Sequence, residues 1–122
     1  MRPSWRAASI ACIWLTGCGT EPPLQRSEAW GADLRRTSQV LIMGIQIEAG
    51  EVSGSGTLAH LTNIDTHDLT VTGALIGDSL HLRYDRPNGA SFRFRGRYAT
   101  QGLLGYLLDA EFDSLAVSFR RL

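Results

Sequence analysis

Between Gln39 and the C-terminus, apolar and polar residues alternate with a period of two, the repeat that sends successive side chains to opposite faces of a strand. In residues 39–48, Leu41, Met43, Ile45 and Ile47 share one face, although Val40 and Ile42 make the start apolar on both. Residues 52–59 set Val52, Gly54, Gly56 and Leu58 against Ser53, Ser55 and Thr57. Residues 69–76 set Leu69, Val71, Gly73 and Leu75 against Thr70 and Thr72, and Leu80, Leu82 and Tyr84 alternate with His81, Arg83 and Asp85. The clearest alternation is at 91–98, where Phe92, Phe94 and Tyr98 face one way and Arg93, Arg95 and Arg97 the other. Residues 103–108 are apolar on both faces, and Leu115, Val117 and Phe119 alternate with Ser114, Ala116, Ser118 and Arg120. The pattern predicts about seven strands, or about eight if residues 61–64 form another.

The segments between these runs suit tight turns: Ala49-Gly50, Gly77-Asp78, Arg86-Pro87-Asn88-Gly89 and Thr100-Gln101-Gly102. Pro87 pre-sets the first turn angle and Asn88-Gly89 tolerates positive φ. Strands joined so tightly are antiparallel, and their order in the sheet follows the chain as a meander. Gly54, Gly56, Gly73 and Gly96 fall on the apolar faces, where they bury no side chain. Mid-strand glycine permits a sharp bend or a close backbone approach, as at the corners of a small barrel. The expected fold is all-β, a small antiparallel meander barrel occupying residues 39–122, with a β-sandwich or open sheet as the alternative.

The chain upstream has a different pattern. Arg2 and Arg6 form a basic start, residues 7–15 an apolar middle, and small residues lead to Cys18, the order of parts of a secretory signal. The apolar stretch is too short for a permanent span, which needs about 20 residues. Leu15-Thr16-Gly17-Cys18 resembles the lipobox of bacterial lipoproteins. That resemblance implies a signal peptide at 1–17, cleavage before Cys18, and a diacylglycerol on the Cys18 thiol with further acylation, typically palmitate, on its amino group. It places the protein in the bacterial envelope, and Gly19 in place of the inner-membrane-retaining aspartate implies the outer membrane, facing the periplasm. Residues 18–38 then read as a lipidated tether. Within it Pro22-Pro23 disfavours continuation of the apolar helix into the domain, and residues 27–36 fit either a short helix, with Ser27 as cap and Trp30 and Leu34 one turn apart, or irregular coil.

Removal of Arg2 and Arg6 leaves ten arginines against twelve acidic residues, a net charge of about −2, which argues against nucleic acid as a partner. Cys12 lies inside the apolar segment, so Cys18 is the only cysteine left after cleavage, and a disulfide framework or thiolate metal site is excluded. His60, His67, Asp65 and Asp68 cluster in sequence without the spacing of a metal motif, and Gly54-Ser55-Gly56 lies in a strand pattern instead of a nucleophile elbow. No catalytic residue, metal ligand or cofactor is assigned, and the chain reads as non-enzymatic. The remaining candidate site is Arg83, Arg93, Arg95 and Arg97, which share one polar side and could bind phosphate or carboxylate groups or pair with acids such as Asp85, Asp109, Glu111 or Asp113.

From 39 to 122 the layout resembles the small meander barrels of the lipocalin and avidin-like group. The lipocalin Gly-x-Trp motif is absent, since Ala29-Trp30-Gly31 has another order, and Trp30 is the only tryptophan left after cleavage. No binding residue of that group carries over. Two functions remain open at this point. One is a lipid-anchored protein that binds a small apolar or amphipathic ligand; the other is a structural or interaction module with a filled barrel that contacts an envelope partner. The anchor itself is testable: Cys18→Ala should move the protein from the membrane fraction to the soluble fraction, and persistence in the membrane would contradict the lipobox reading.

Overall fold

The structure, a computed structural model, describes residues 25–63 and 65–122. The segment expected to be a signal peptide and Cys18, the expected lipidation position, lie outside the described residues. Eight antiparallel strands, β1 (Gln25–Leu34), β2 (Gln39–Glu48), β3 (Glu51–His60), β4 (Thr66–Ile76), β5 (Ser79–Asp85), β6 (Phe92–Ala99), β7 (Gly102–Leu108) and β8 (Leu115–Arg121), form one closed barrel in chain order. A single 3-10 turn, Arg35–Thr37, joins β1 to β2.

The meander barrel expected from the pattern is therefore the fold, but its eighth strand is not at 61–64. Residues 61–63 are bends between β3 and β4, and Ile64 lies outside the described residues. The missing strand is β1, which occupies the segment read as tether, helix or coil, so the barrel begins at Gln25 and not at residue 39. The reason is a degeneracy in the pattern. Trp30 and Leu34 are four residues apart, a spacing that fits one helical turn and two strand repeats equally. Between and before them the alternation is carried by Ala32 and Glu28, one too small and the other too polar to advertise a buried face, yet both are buried with Trp30 and Leu34.

Several turns follow their local chemistry. Ala49 and Gly50 both take positive φ, 54° and 83°, the combination that a two-residue type I′ hairpin requires. The inward glycines mark close approach of neighbouring strands. Gly96 and Gly105 are paired across β6 and β7, and a Cβ on either would lie 2.2 Å from a carbonyl oxygen of the other strand, Leu104 O or Arg95 O respectively. No side chain larger than hydrogen fits there without a shift of the facing backbone.

The interior is closed by large side chains. Tyr84 stacks on Phe92 at 4.7 Å between ring centroids, Phe112 packs on the other side of Phe92 at 4.7 Å, and Phe94 meets Phe119 edge-on at 5.4 Å. Trp30, Leu41, Leu58, Val71, Leu80 and Leu103 have no exposed surface, so no space large enough for water touches them. Burial of each large apolar side chain contributes about 1.5 to 3 kcal/mol before the ordering entropy is subtracted. Residues 25–122 thus carry their own core and closed sheet and constitute a folding unit. A chain starting at Gln25 should unfold in one cooperative transition with a β-type circular dichroism spectrum. One starting at Thr37, which lacks β1, should lose that transition, and Trp30→Ala in the full domain should cost about 3 to 5 kcal/mol in urea unfolding.

Candidate functional site

The outward face of β5 and β6 carries the arginines singled out in the sequence. Because side chains alternate along a strand, Arg93, Arg95 and Arg97 all leave the barrel on the side opposite buried Phe92 and Phe94, and Arg83 and His81 of β5 stand beside them in register with Arg93 and Arg95. A shallow groove of about 330 Å³, lined in part by Thr72, Ala74, His81, Arg83, Arg93 and Arg95, runs along this face.

Three of the four arginines have acidic partners. Arg83 Nε lies 2.9 Å from Asp85, Arg93 Nε 2.6 Å from Asp109, and Arg97 Nη2 2.7 Å from Asp78. All three pairs are exposed, where screening leaves an ion pair little net stabilisation. The hydrogen bond from Arg93, helped by its charge, holds the Asp109 carboxyl below the ordinary carboxylate range against the opposing effect of desolvation. Asp85 and Asp109 were legible as partners in the sequence. Asp78 was not, because it sits in the β4–β5 turn and reaches Arg97 only through the pairing of β5 with β6. The carboxylates stand at strand ends, leaving the centre of the face to Arg95, which makes no ion pair among the described residues.

At one end of the barrel the β7–β8 connection folds inward. Phe112 is fully buried against Phe92, and its carbonyl accepts a hydrogen bond from Arg36. Arg86 lies over the Phe92 ring at 5.0 Å and donates to Glu111 at 2.6 Å. Asp109, Ala110, Asp113 and Ser114 take positive φ between 46° and 74°, so the backbone on both sides of Phe112 is in the left-handed region that non-glycine residues seldom adopt. At the other end, the buried Glu28 carboxylate accepts from Trp30 Nε1 at 3.0 Å and from the Tyr98 hydroxyl, and Arg121 approaches to 3.7 Å. Burial first, and then the bond to Glu28, push the Tyr98 phenol up. No motif in the sequence marks this cluster; its members come from three strands.

The histidine and aspartate cluster does not converge. His60 ends β3 and its ring meets His67 of β4 edge-on at 6.2 Å, while His67 and Asp68 belong to the strand and not to the connection. Among the described residues no three of histidine, cysteine, aspartate and glutamate are placed to hold a metal ion. The chain matches no protein-family model, no curated protein and no solved structure.

The Glu111 latch has a pH signature. Burial pulls its carboxyl up, but the bond from Arg86 and smaller contributions from its own backbone, the Arg86 charge and Gln39 prevail and hold it below the ordinary glutamate value. A depressed folded-state value stabilises the fold above the unfolded value and loses that stabilisation as pH falls through the folded one. The urea midpoint of the wild-type protein should therefore exceed that of Glu111→Gln at neutral pH, with the gap closing below about pH 4.5. A gap independent of pH would show that the Arg86 pair does not latch the connection.

Proposed function

We propose that this protein is a lipid-anchored, non-enzymatic component of the bacterial envelope, held at the outer membrane through Cys18, whose barrel acts through its outer surface as a structural or interaction module. The observation that carries this reading is the filled interior. An eight-stranded barrel is wide enough either to hold one small ligand or to be packed by its own side chains. Here Trp30, Tyr84, Phe92, Phe94, Phe112 and Phe119 occupy the space, and Phe112 stoppers one end. The glycines that remove inward side chains do not leave room in exchange, because the neighbouring backbone moves into the space they vacate.

The polarity of the wall supports a barrel that sits in water beside a membrane instead of spanning it. Most of its large apolar residues point inward, and the outward positions of β3 to β6 are mainly serine, threonine and arginine, including Ser53, Ser55, Thr70, Thr72, Arg93 and Arg95. A membrane-spanning barrel has the opposite arrangement, with an apolar belt outside.

Native mass spectrometry of protein extracted gently from its own envelope tests the reading, together with titration by an apolar fluorescent probe. The expected result is a polypeptide carrying only the covalent lipid of Cys18 and no saturable binding of the probe. A retained non-covalent amphiphile, or one-to-one probe binding lost on enlarging an inward residue, would overturn it in favour of a ligand carrier.

A further inference from the structure

The outer face of β5 to β8 joins two kinds of surface that the sequence shows only separately. Across the sheet, His81 of β5 pairs with Arg95 of β6, Arg95 with Tyr106 of β7, and Tyr106 with Ala116 of β8. One step along the strands, Arg97 pairs with Leu104 and Leu104 with Ser118. Leu104 and Tyr106 are 62% and 54% exposed, large apolar side chains that the barrel leaves in solvent beside a column of three arginines. The acidic partners of Arg93 and Arg97 stand at the rim, and none of the four residues His81, Arg95, Tyr106 and Ala116 that cross β5 to β8 in this row is acidic.

We propose that this face rests on the anionic surface of the membrane that holds the lipid anchor, with Arg95 at headgroup phosphates and Leu104 and Tyr106 dipping into the interface. The inference rests on the anchored reading given above. Two arguments select a bilayer as the occupant. The first is charge complementarity with adjacent apolar reach: an unpaired guanidinium suits a phosphate oxygen pair, and a tyrosine with a leucine beside it suits the boundary between headgroups and acyl chains. The second is the length of chain available. Seven residue steps separate Cys18 from Gln25, at most about 25 Å when fully extended. A strand of ten residues such as β1 is longer, about 33 Å. An anchored barrel therefore cannot leave the membrane by more than about its own height, and its side wall stays within reach of the surface. The acyl chains already supply attachment, so the contribution of this face is orientation: it lays the barrel on its side and turns the Ser/Thr wall of β3 and β4 towards the aqueous phase.

Flotation of residues 19–122, which lack Cys18, with vesicles of phosphatidylcholine and phosphatidylglycerol in a 3:1 ratio tests the proposal independently of the anchor. The protein should float with these vesicles at low salt, not with pure phosphatidylcholine vesicles, and less as salt rises. Arg95→Gln should lower the partition constant obtained from flotation about fivefold, the effect of one arginine at an anionic surface. Tyr106→Ser should lower it in both low and high salt. Arg35→Gln, an equal charge change in the β1–β2 connection away from this face, should leave flotation unaltered. Flotation undiminished by Arg95→Gln, or diminished equally by Arg35→Gln, would overturn the assignment. So would a failure to float accompanied by a concentration-dependent dimer that Leu104→Ser abolishes, which would give the face to a second copy of the chain. Mass spectrometry of Cys18 in the full-length protein reports on acylation alone, and Cys18→Ala is fractionated at high salt, where this face contributes least, so failure of the anchor and failure of this face give different results.

Discussion

Every sheet that does not close has two edges whose backbone groups must find other partners, and here the first and last strands satisfy each other. The join is short. β1 and β8 share the register pairs Trp30 with Arg121 and Gly31 with Arg120, extended by the bond from Leu122 N to Ala29 O at 2.9 Å. Side chains reinforce it: the Arg121 guanidinium lies 4.5 Å from the Trp30 ring centroid and 3.7 Å from the Glu28 carboxylate, and Arg120 reaches Asp33 at 3.8 Å. Glu28 is a buried anion whose neighbours are two hydrogen-bond donors and a cation, the condition under which burial of charge is tolerated. The cluster is thus a clasp across the seam between the two ends of the described chain.

Closure determines what the interior can be. With both edges joined, the wall encloses a fixed width, and the inward positions either fill it or leave a cavity. Aromatic side chains fill it, and the backbone packed against Gly96 and Gly105 leaves no room for a side chain at either. Filling extends to the end of the barrel through a connection that spends backbone strain to bring Phe112 inside. The strain at Asp109, Ala110, Asp113 and Ser114 is offset by the burial of one phenyl ring and by the bonds from Arg36 and Arg86. Chemistry is then left to the outer surface, where the arginines, Leu104 and Tyr106 stand.

The legible part of this protein in its sequence is the set of strands with unambiguous alternation. Residues 80–84, 92–97 and 115–119 have the inward and outward faces that their pattern predicts, and the Ala49-Gly50 and Gly77-Asp78 turns fall where glycine allows them. These features are local, so a strand's own residues carry the information. The four arginines were placed on one outward face for the same reason, and that placement is what the structure has.

What required the folded chain is whatever depends on residues far apart. The spacing of Trp30 and Leu34 satisfies a helix and a strand alike, and only pairing with β2 and β8 makes β1 a strand. Which arginines are neutralised depends on turns brought alongside by register: Asp78 lies 19 residues from Arg97, and among the described residues Arg95 has no carboxylate partner because the acids sit at strand ends. Phe112 belongs to a connection with no alternation to read, so its place in the core follows from the open end of the barrel that it closes. Periodicity encodes which way a side chain points along its own strand; closure, register and filling are set by the other strands it meets.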